Sequence, residues 1–203
     1  MIYRNTLLSI TLYFISFTLS AQDIWSPLES MKIKSISQTE ISNDGKSIAY
    51  VVREPIMEGK KSEYLSQIWV TDIESKENIQ YTFNQKSSSS PKFSPDGKKI
   101  AFLSSRSGKN QVWIMNTLGG EARMLTKEKK GVRSIKWSPD GKMISFLKSD
   151  DDTEDEIKSK ENKTDVILVD KNFKYSHIYS YHLDEDTVIK VTSGNYSVNS
   201  FDY

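Results

Sequence analysis

PKFSPDGKKIAFLSSRSGKNQVWIMN (residues 91–116) is followed, after a charged bridge, by SIKWSPDGKMISFLKSDD (residues 134–151). The second passage restarts the first. Each has an aromatic residue (Phe93, Trp137), Ser-Pro-Asp-Gly, a lysine and an apolar run. A third copy, ISNDGKSIAYVV (residues 41–52), carries Asn43 where the others have proline. Aligned on their glycines, the copies give Ile48-Ala49-Tyr50-Val51, Ile100-Ala101-Phe102-Leu103 and Ile144-Ser145-Phe146-Leu147. An internal repeat of this kind governs every other reading of the chain.

The repeat extends to further segments. Gln67 to Gln111 and Thr82 to Thr126 are both 44 residues, whereas Gln111 to His177 and Thr126 to Thr192 are both 66. The additional residues fall around Asp150–Val169. Four strands in about 40–45 residues are the signature of a β-propeller blade. The expected strands are Ser35–Ser42, Lys46–Arg53, Gln67–Asp72 and Ile79–Phe83 in the first unit, with a polar loop over Glu54–Ser62. The second unit supplies Ser90–Phe93, Lys99–Ser104, Gln111–Asn116 and Ala122–Leu125; the third supplies Val132–Trp137, Met143–Lys148, His177–Leu183 and Val188–Thr192. The turn between the first two strands has a physical cause. Proline presets φ, aspartate caps its own turn, and glycine takes a positive φ. A β-sandwich would also show regular turn signals, but not copies matched across four strands. The fold class read from the sequence is all-β, a partial β-propeller of about three four-stranded blades (35–83, 89–126, 132–192), with a fourth beginning near 197.

Val198–Tyr203 (VNSFDY) aligns with Val132–Trp137 (VRSIKW) and places Tyr203 on Trp137. A propeller closes with about 4–8 blades, so the chain reads as a piece of a larger protein, with residues 35–203 an incomplete N-terminal propeller. The 203 residues include 28 basic and 27 acidic side chains, a balance that points to no nucleic-acid partner. Absence of cysteine excludes disulfides and thiol nucleophiles. Residues 1–21 combine Arg4, an apolar run over Thr6–Leu19 and small residues at Ser20 and Ala21, the pattern of a secretory signal peptide. The apolar run is short for a bilayer span. The expected localisation is therefore secreted or periplasmic, with no stable membrane span after cleavage. Residues 22–34 form a lead-in, with a helical turn around Leu28, Met31 and Ile33.

Signals for chemistry are weak. None of the nine glycines supplies a G-x-S-x-G nucleophile elbow. Gly45-Lys46-Ser47 resembles the end of a P-loop, but Glu40 stands where that motif needs glycine. His177 and His182 lie on one expected strand without a carboxylate spacing that suggests a triad or metal site. Trp69, Trp113 and Trp137 suit blade packing better than base stacking, and Lys127–Lys130 (KEKK) is a loop cluster. Asp150–Glu156 (DDDTEDE) lacks the glycine of a calcium loop and reads as a solvated loop, with strand character returning at Asp165–Tyr175. No catalytic, cofactor-binding or metal-binding residue is assigned, and no cofactor is expected.

Five segments resemble the N-terminal propeller of the prolyl oligopeptidase family, serine peptidase family S9, in its acylaminoacyl and dipeptidyl peptidase branch. They are KSEYLSQIWVTD (61–72), KSSSSPKFSPDGKKIAFLSSRSGKNQVW (86–113), GGEARMLT (119–126), WSPDGKMISF (137–146) and GNYSVNSFDY (194–203). The resemblance implies a propeller of seven or eight blades paired with a C-terminal α/β-hydrolase domain bearing a Ser-Asp-His triad. It also implies peptide substrates, with the propeller restricting access to them. No residue here matches the triad-bearing motif, so none of these roles is carried over. The alternative is a TolB-like periplasmic propeller that scaffolds protein partners.

Overall fold

The computed structural model describes residues 26–59, 61–162 and 173–203. The signal-peptide segment 1–21 and most of the strand expected at Asp165–Tyr175 lie outside them. The described residues divide between Met31 and Lys32 into two compact units. In the first, Ser26 caps the short helix α1 (Pro27–Met31), its hydroxyl accepting from the Glu29 amide at 3.1 Å.

The second unit contains three antiparallel four-stranded sheets, each ordered as in the sequence. Blade 1 is β1 (Ser35–Ile41), β2 (Ser47–Glu58), β3 (Lys61–Asp72) and β4 (Asn78–Gln80). Blade 2 is β5 (Ser88–Phe93), β6 (Lys99–Ser104), β7 (Gln111–Asn116) and β8 (Arg123–Met124). Blade 3 is β9 (Arg133–Trp137), β10 (Met143–Ser149), β11 (Ser176–His182) and β12 (Thr187–Lys190), with helix α2 (Glu154–Glu161) between β10 and β11. The first strands neighbour one another, β1 beside β5 and β5 beside β9. They form the inner edge of a propeller arc, so the all-β partial propeller is the fold observed.

The recurring apolar quartet is explained by strand alternation, because successive side chains point to opposite faces. Ile100 and Phe102 face blade 1, meeting Ala49, Val51, Ile68 and Val70. Ala101 and Leu103 face the other way and meet Ile135, Ile144 and Phe146 of blade 3. Phe102 and Phe146 are fully buried. A fully buried phenylalanine contributes about 3–5 kcal/mol relative to alanine. One quartet thus serves two seams.

The turns repeat atom by atom. In blade 2 the Ser94 hydroxyl donates to Asp96 at 2.6 Å and accepts from the Lys99 amide at 2.9 Å, while Asp96 accepts from the Lys98 amide at 3.1 Å. Ser42 with Asp44 and Ser138 with Asp140 make the same bonds at 2.6 and 2.5 Å. Gly45, Gly97 and Gly141 sit at φ of 68 to 70°. Each inner strand also bulges once, with a non-glycine residue at positive φ: Gln38, Ser90 and Ser134, all near 54°. All three lie seven residues before the turn glycine.

Several expectations are corrected. Glu54–Ser62 is no loop: β2 and β3 continue as a ladder from Arg53↔Ser66 to Glu58↔Lys61. Pro55 is tolerated because β1 ends its pairing at Ser35↔Arg53 and offers no strand for the missing N–H to join. The segment after Asp150 is not simply a solvated loop. Thr153 and Glu156 form a reciprocal capping box, and α2 follows. Residues 173–175 carry no strand, and neither do residues 198–203. Val198 nevertheless donates to the Ser176 carbonyl at 2.7 Å, and the Tyr203 hydroxyl lies 2.5 Å from that of Ser145. That end of the chain therefore rests on blade 3.

Candidate functional site at the inner strands

The position five residues before each turn glycine lies on the inner edge of the arc. It holds Glu40, Lys92 and Lys136, and Asp202 occupies it in the segment aligned as a fourth copy. Strand pairing fixes three of them, because the bulge at Gln38, Ser90 and Ser134 re-aims the two residues that follow it. The four side chains line one cavity of about 260 Å³ together with Asn43, Phe93, Pro95, Trp137, Ser138 and Pro139.

The charged side chains form two ion pairs at this cavity. Lys92 Nζ lies 2.5 Å from Glu40 Oε2, and Lys136 Nζ lies 2.6 Å from Asp202 Oδ1. The Lys136 hydrogen bond holds the Asp202 carboxyl below its ordinary range, assisted by the Tyr203 amide and by attraction to Lys136 and Lys92. The other polar lining groups each make a hydrogen bond within the chain. Asn43 Nδ2 donates to the Pro95 carbonyl at 3.0 Å, Trp137 Nε1 to the Lys92 carbonyl at 3.0 Å, and the Ser138 hydroxyl to Asp140. The first two bonds tie successive blades, and the third closes a turn of blade 3 at the rim of the cavity.

Such an arrangement holds or repels charge; it contains no nucleophile with an adjacent base. A second constellation looks more catalytic than it is. Asp150, His177 and Thr192 are in line, with His177 Nε2 4.0 Å from Asp150 and Nδ1 3.4 Å from the Thr192 hydroxyl. The same frame recurs with glutamine. Thr82 donates to Gln67 Oε1 at 2.5 Å and accepts from Ile68 N–H, and Thr126 does likewise with Gln111 at 2.7 Å and Val112 N–H. His177 is 1% exposed and stands in the glutamine's place. Its role is to tie β11 to the residue that ends the blade.

The remaining residues singled out in the sequence are placed structurally. His182 ends β11 facing Ile189 and Tyr203. Trp113 lies beneath the Arg106 guanidinium at 4.4 Å, and Trp69 pairs with Tyr50 across β2 and β3. In the KEKK cluster, Glu128 binds Lys148 at 2.5 Å and Lys130 binds Asp152 at 2.6 Å. Lys130 and Lys160 depress the Asp152 carboxyl to about 2. Four acids of the run, Asp150, Asp151, Asp152 and Glu156, are thus each paired with a lysine of the chain. Among the described residues no cluster of His, Asp and Glu could hold a metal ion, and no helix is long and apolar enough to cross a membrane. The inner-strand ring went unnoticed in the sequence because its residues share a position and not a chemistry.

Comparison with known proteins agrees with this architecture. Residues 61–189 match the family model of the tricorn protease N-terminal β-propeller domain. The uncharacterized peptidase YuxL of Bacillus subtilis (strain 168) is 35% identical over 76 residues, covering 37% of this chain and 11% of YuxL. The Pyrococcus horikoshii acylaminoacyl peptidase superposes with a TM-score of 0.63 at 21% identity, covering 81% of this chain and 26% of that one. TolB from Acinetobacter baumannii gives a TM-score of 0.51 at 18% identity, over 76% of this chain and 32% of that one. The chain thus spans a minor part of each relative's length. The expected kinship with peptidase N-terminal propellers is borne out by the family match and by YuxL, and the structural likenesses bear on the fold. The chain belongs to the family of tricorn protease N-terminal β-propeller domains.

Proposed function

We propose that this chain is the N-terminal propeller of an exported serine peptidase of the acylaminoacyl or dipeptidyl peptidase type. In this reading it gates the access of peptides to a catalytic α/β-hydrolase domain that follows it in the same polypeptide. The observation that carries the reading is the 35% identity to a peptidase over 76 residues. The likeness to acylaminoacyl peptidase is in keeping with it. The propeller itself performs no chemistry, in accord with a sequence that has no G-x-S-x-G. The TolB likeness favours a second reading, a scaffolding propeller without a catalytic partner.

Sequencing the DNA downstream of the Tyr203 codon separates the two. Further Ser-Pro-Asp-Gly repeats followed by a nucleophile elbow are the expected result; blades followed by a stop codon would establish the scaffold instead. Export is tested apart from this, by mass spectrometry of the mature N-terminus. Cleavage after Ala21, leaving Gln22 first, is expected, and an intact Met1 in the mature protein would overturn it.

A further inference from the structure

We propose that the cavity between the β6–β7 loop and the start of β9 recognises the acidic side chains of a peptide, with Arg133 and Lys109 as its contacts. This cavity of about 500 Å³ opens at the end of blades 2 and 3 away from their Ser-Pro-Asp-Gly turns. Three cations line it, Lys109, Lys130 and Arg133, and among the described residues no acid does. The acids of the neighbouring segments are already engaged. Glu128 and Asp151 hold Lys148, and Asp152 holds Lys130 and Lys160. Lys130 is thereby balanced, whereas Lys109 and Arg133 are not. Among the described residues Lys109 Nζ donates only to the Lys129 carbonyl, at 2.5 Å. The exposed Arg133 guanidinium joins no ion pair or hydrogen bond to a described residue.

This cavity therefore carries uncompensated positive charge and a surplus of donors. An ammonium has three N–H groups and a guanidinium five. Of those on Lys109 and Arg133, only the one given to Lys129 is spent. The Asn110 amide, in the same lining, makes no side-chain hydrogen bond among the described residues. The inner-strand ring offers no such surplus, because its four charges pair off. A guanidinium fork matches the two oxygens of a carboxylate. The two cations stand on different segments, around a space far larger than the roughly 30 Å³ that one water takes in the liquid. Two carboxylates carried on one chain suit such a site better than a single compact anion. That they arrive on a peptide rests on the function proposed above; the excess of positive charge does not.

The test is calorimetric titration of the purified chain with N-acetyl-glutamyl-glutamyl amide and with its glutaminyl counterpart, whose blocked ends leave only the side chains to differ. The acidic peptide should bind about tenfold more tightly, and its affinity should fall as sodium chloride is raised. Arg133→Gln should weaken its binding about tenfold, and Lys109→Gln severalfold. Both residues are exposed, so circular dichroism should not change; if one variant fails to fold, the other decides. Lys142→Gln, at the opposite end of blade 3, should leave the affinity as it is. Equal binding of the two peptides, no measurable heat from either, or full affinity in both Arg133→Gln and Lys109→Gln overturns the proposal. A loss in Lys142→Gln as large as in Arg133→Gln overturns the assignment to this cavity. Inorganic phosphate binding as tightly as the acidic peptide overturns the choice of a peptide. These results are separable from the peptidase reading. A downstream frame without a nucleophile elbow would sink that reading and leave the recognition of acidic side chains standing.

Discussion

Asp44, Asp96 and Asp140 each accept a serine hydroxyl two residues back and a backbone amide two residues on. Those bonds favour the ionised form, with the serine hydroxyl as the largest cause, and hold all three carboxyls below 3.8. A carboxyl whose folded pKa is depressed stabilises the fold above its unfolded value and loses that contribution as pH falls through the folded value. The melting temperature should therefore drop below about pH 4, and the triple Asp→Asn variant should show a shallower drop. Thermal scans from pH 7 to pH 2 measure this, and parallel curves would refute it. His177 offers a second residue-scale test. Because Gln67 and Gln111 fill the same frame, His177→Gln should change stability by less than about 1 kcal/mol. His177→Ala, which strands the Thr192 hydroxyl, should cost about 1–3 kcal/mol in denaturant titration.

The same contrast explains what could be read in advance. Turns and strand order were legible because their causes are local: a serine, an aspartate and a glycine at fixed offsets, then an apolar quartet. The hairpin beyond Arg53 was not, since EPIMEGKKSE has proline, glycine and charges, and its strands persist by pairing with each other. Helix α2 had a signal that was passed over, the Thr-x-x-Glu of its capping box, hidden inside an acidic run. The inner ring was legible only by reading four copies down one column, where two acids and two lysines share a place. At this scale α2 yields its own expectation. It buries no residue, and the structure ties it through the Lys130–Asp152 and Lys174–Glu156 pairs at 2.6 and 2.5 Å. Thr153→Ala should cost the helix about 1 kcal/mol locally. Limited proteolysis should then cut residues 153–162 faster while the global melting temperature stays put; a matching fall in melting temperature would show that α2 is part of the core.

Across the whole molecule, blade 2 is covered on both faces and its neighbours on one each. Blade 1 leaves Ile36, Ile41, Ile79 and Phe83 exposed, Phe83 at 77%, and blade 3 leaves Val188, Ile189 and Val191. Apolar surface on uncovered sheets promotes association. The chain purified alone should sediment as a concentration-dependent mixture, and Ile41→Asp with Val191→Asp should shift it toward monomer. Sedimentation velocity over a tenfold concentration range checks this; a single monomeric species at every concentration would contradict it.

The bonds that the serine and the aspartate make in each Ser-Pro-Asp-Gly turn run within six residues and involve no neighbouring blade. A duplicated blade therefore inherits a working corner whole. The residue five places before the glycine is under no such obligation, since it faces inward and meets its counterparts only after assembly. Duplication copies the masonry and leaves the inscription on the inner wall free to be rewritten. Four single substitutions, at Glu40, Lys92, Lys136 and Asp202, could give this passage a new electrical character without disturbing any turn that supports it.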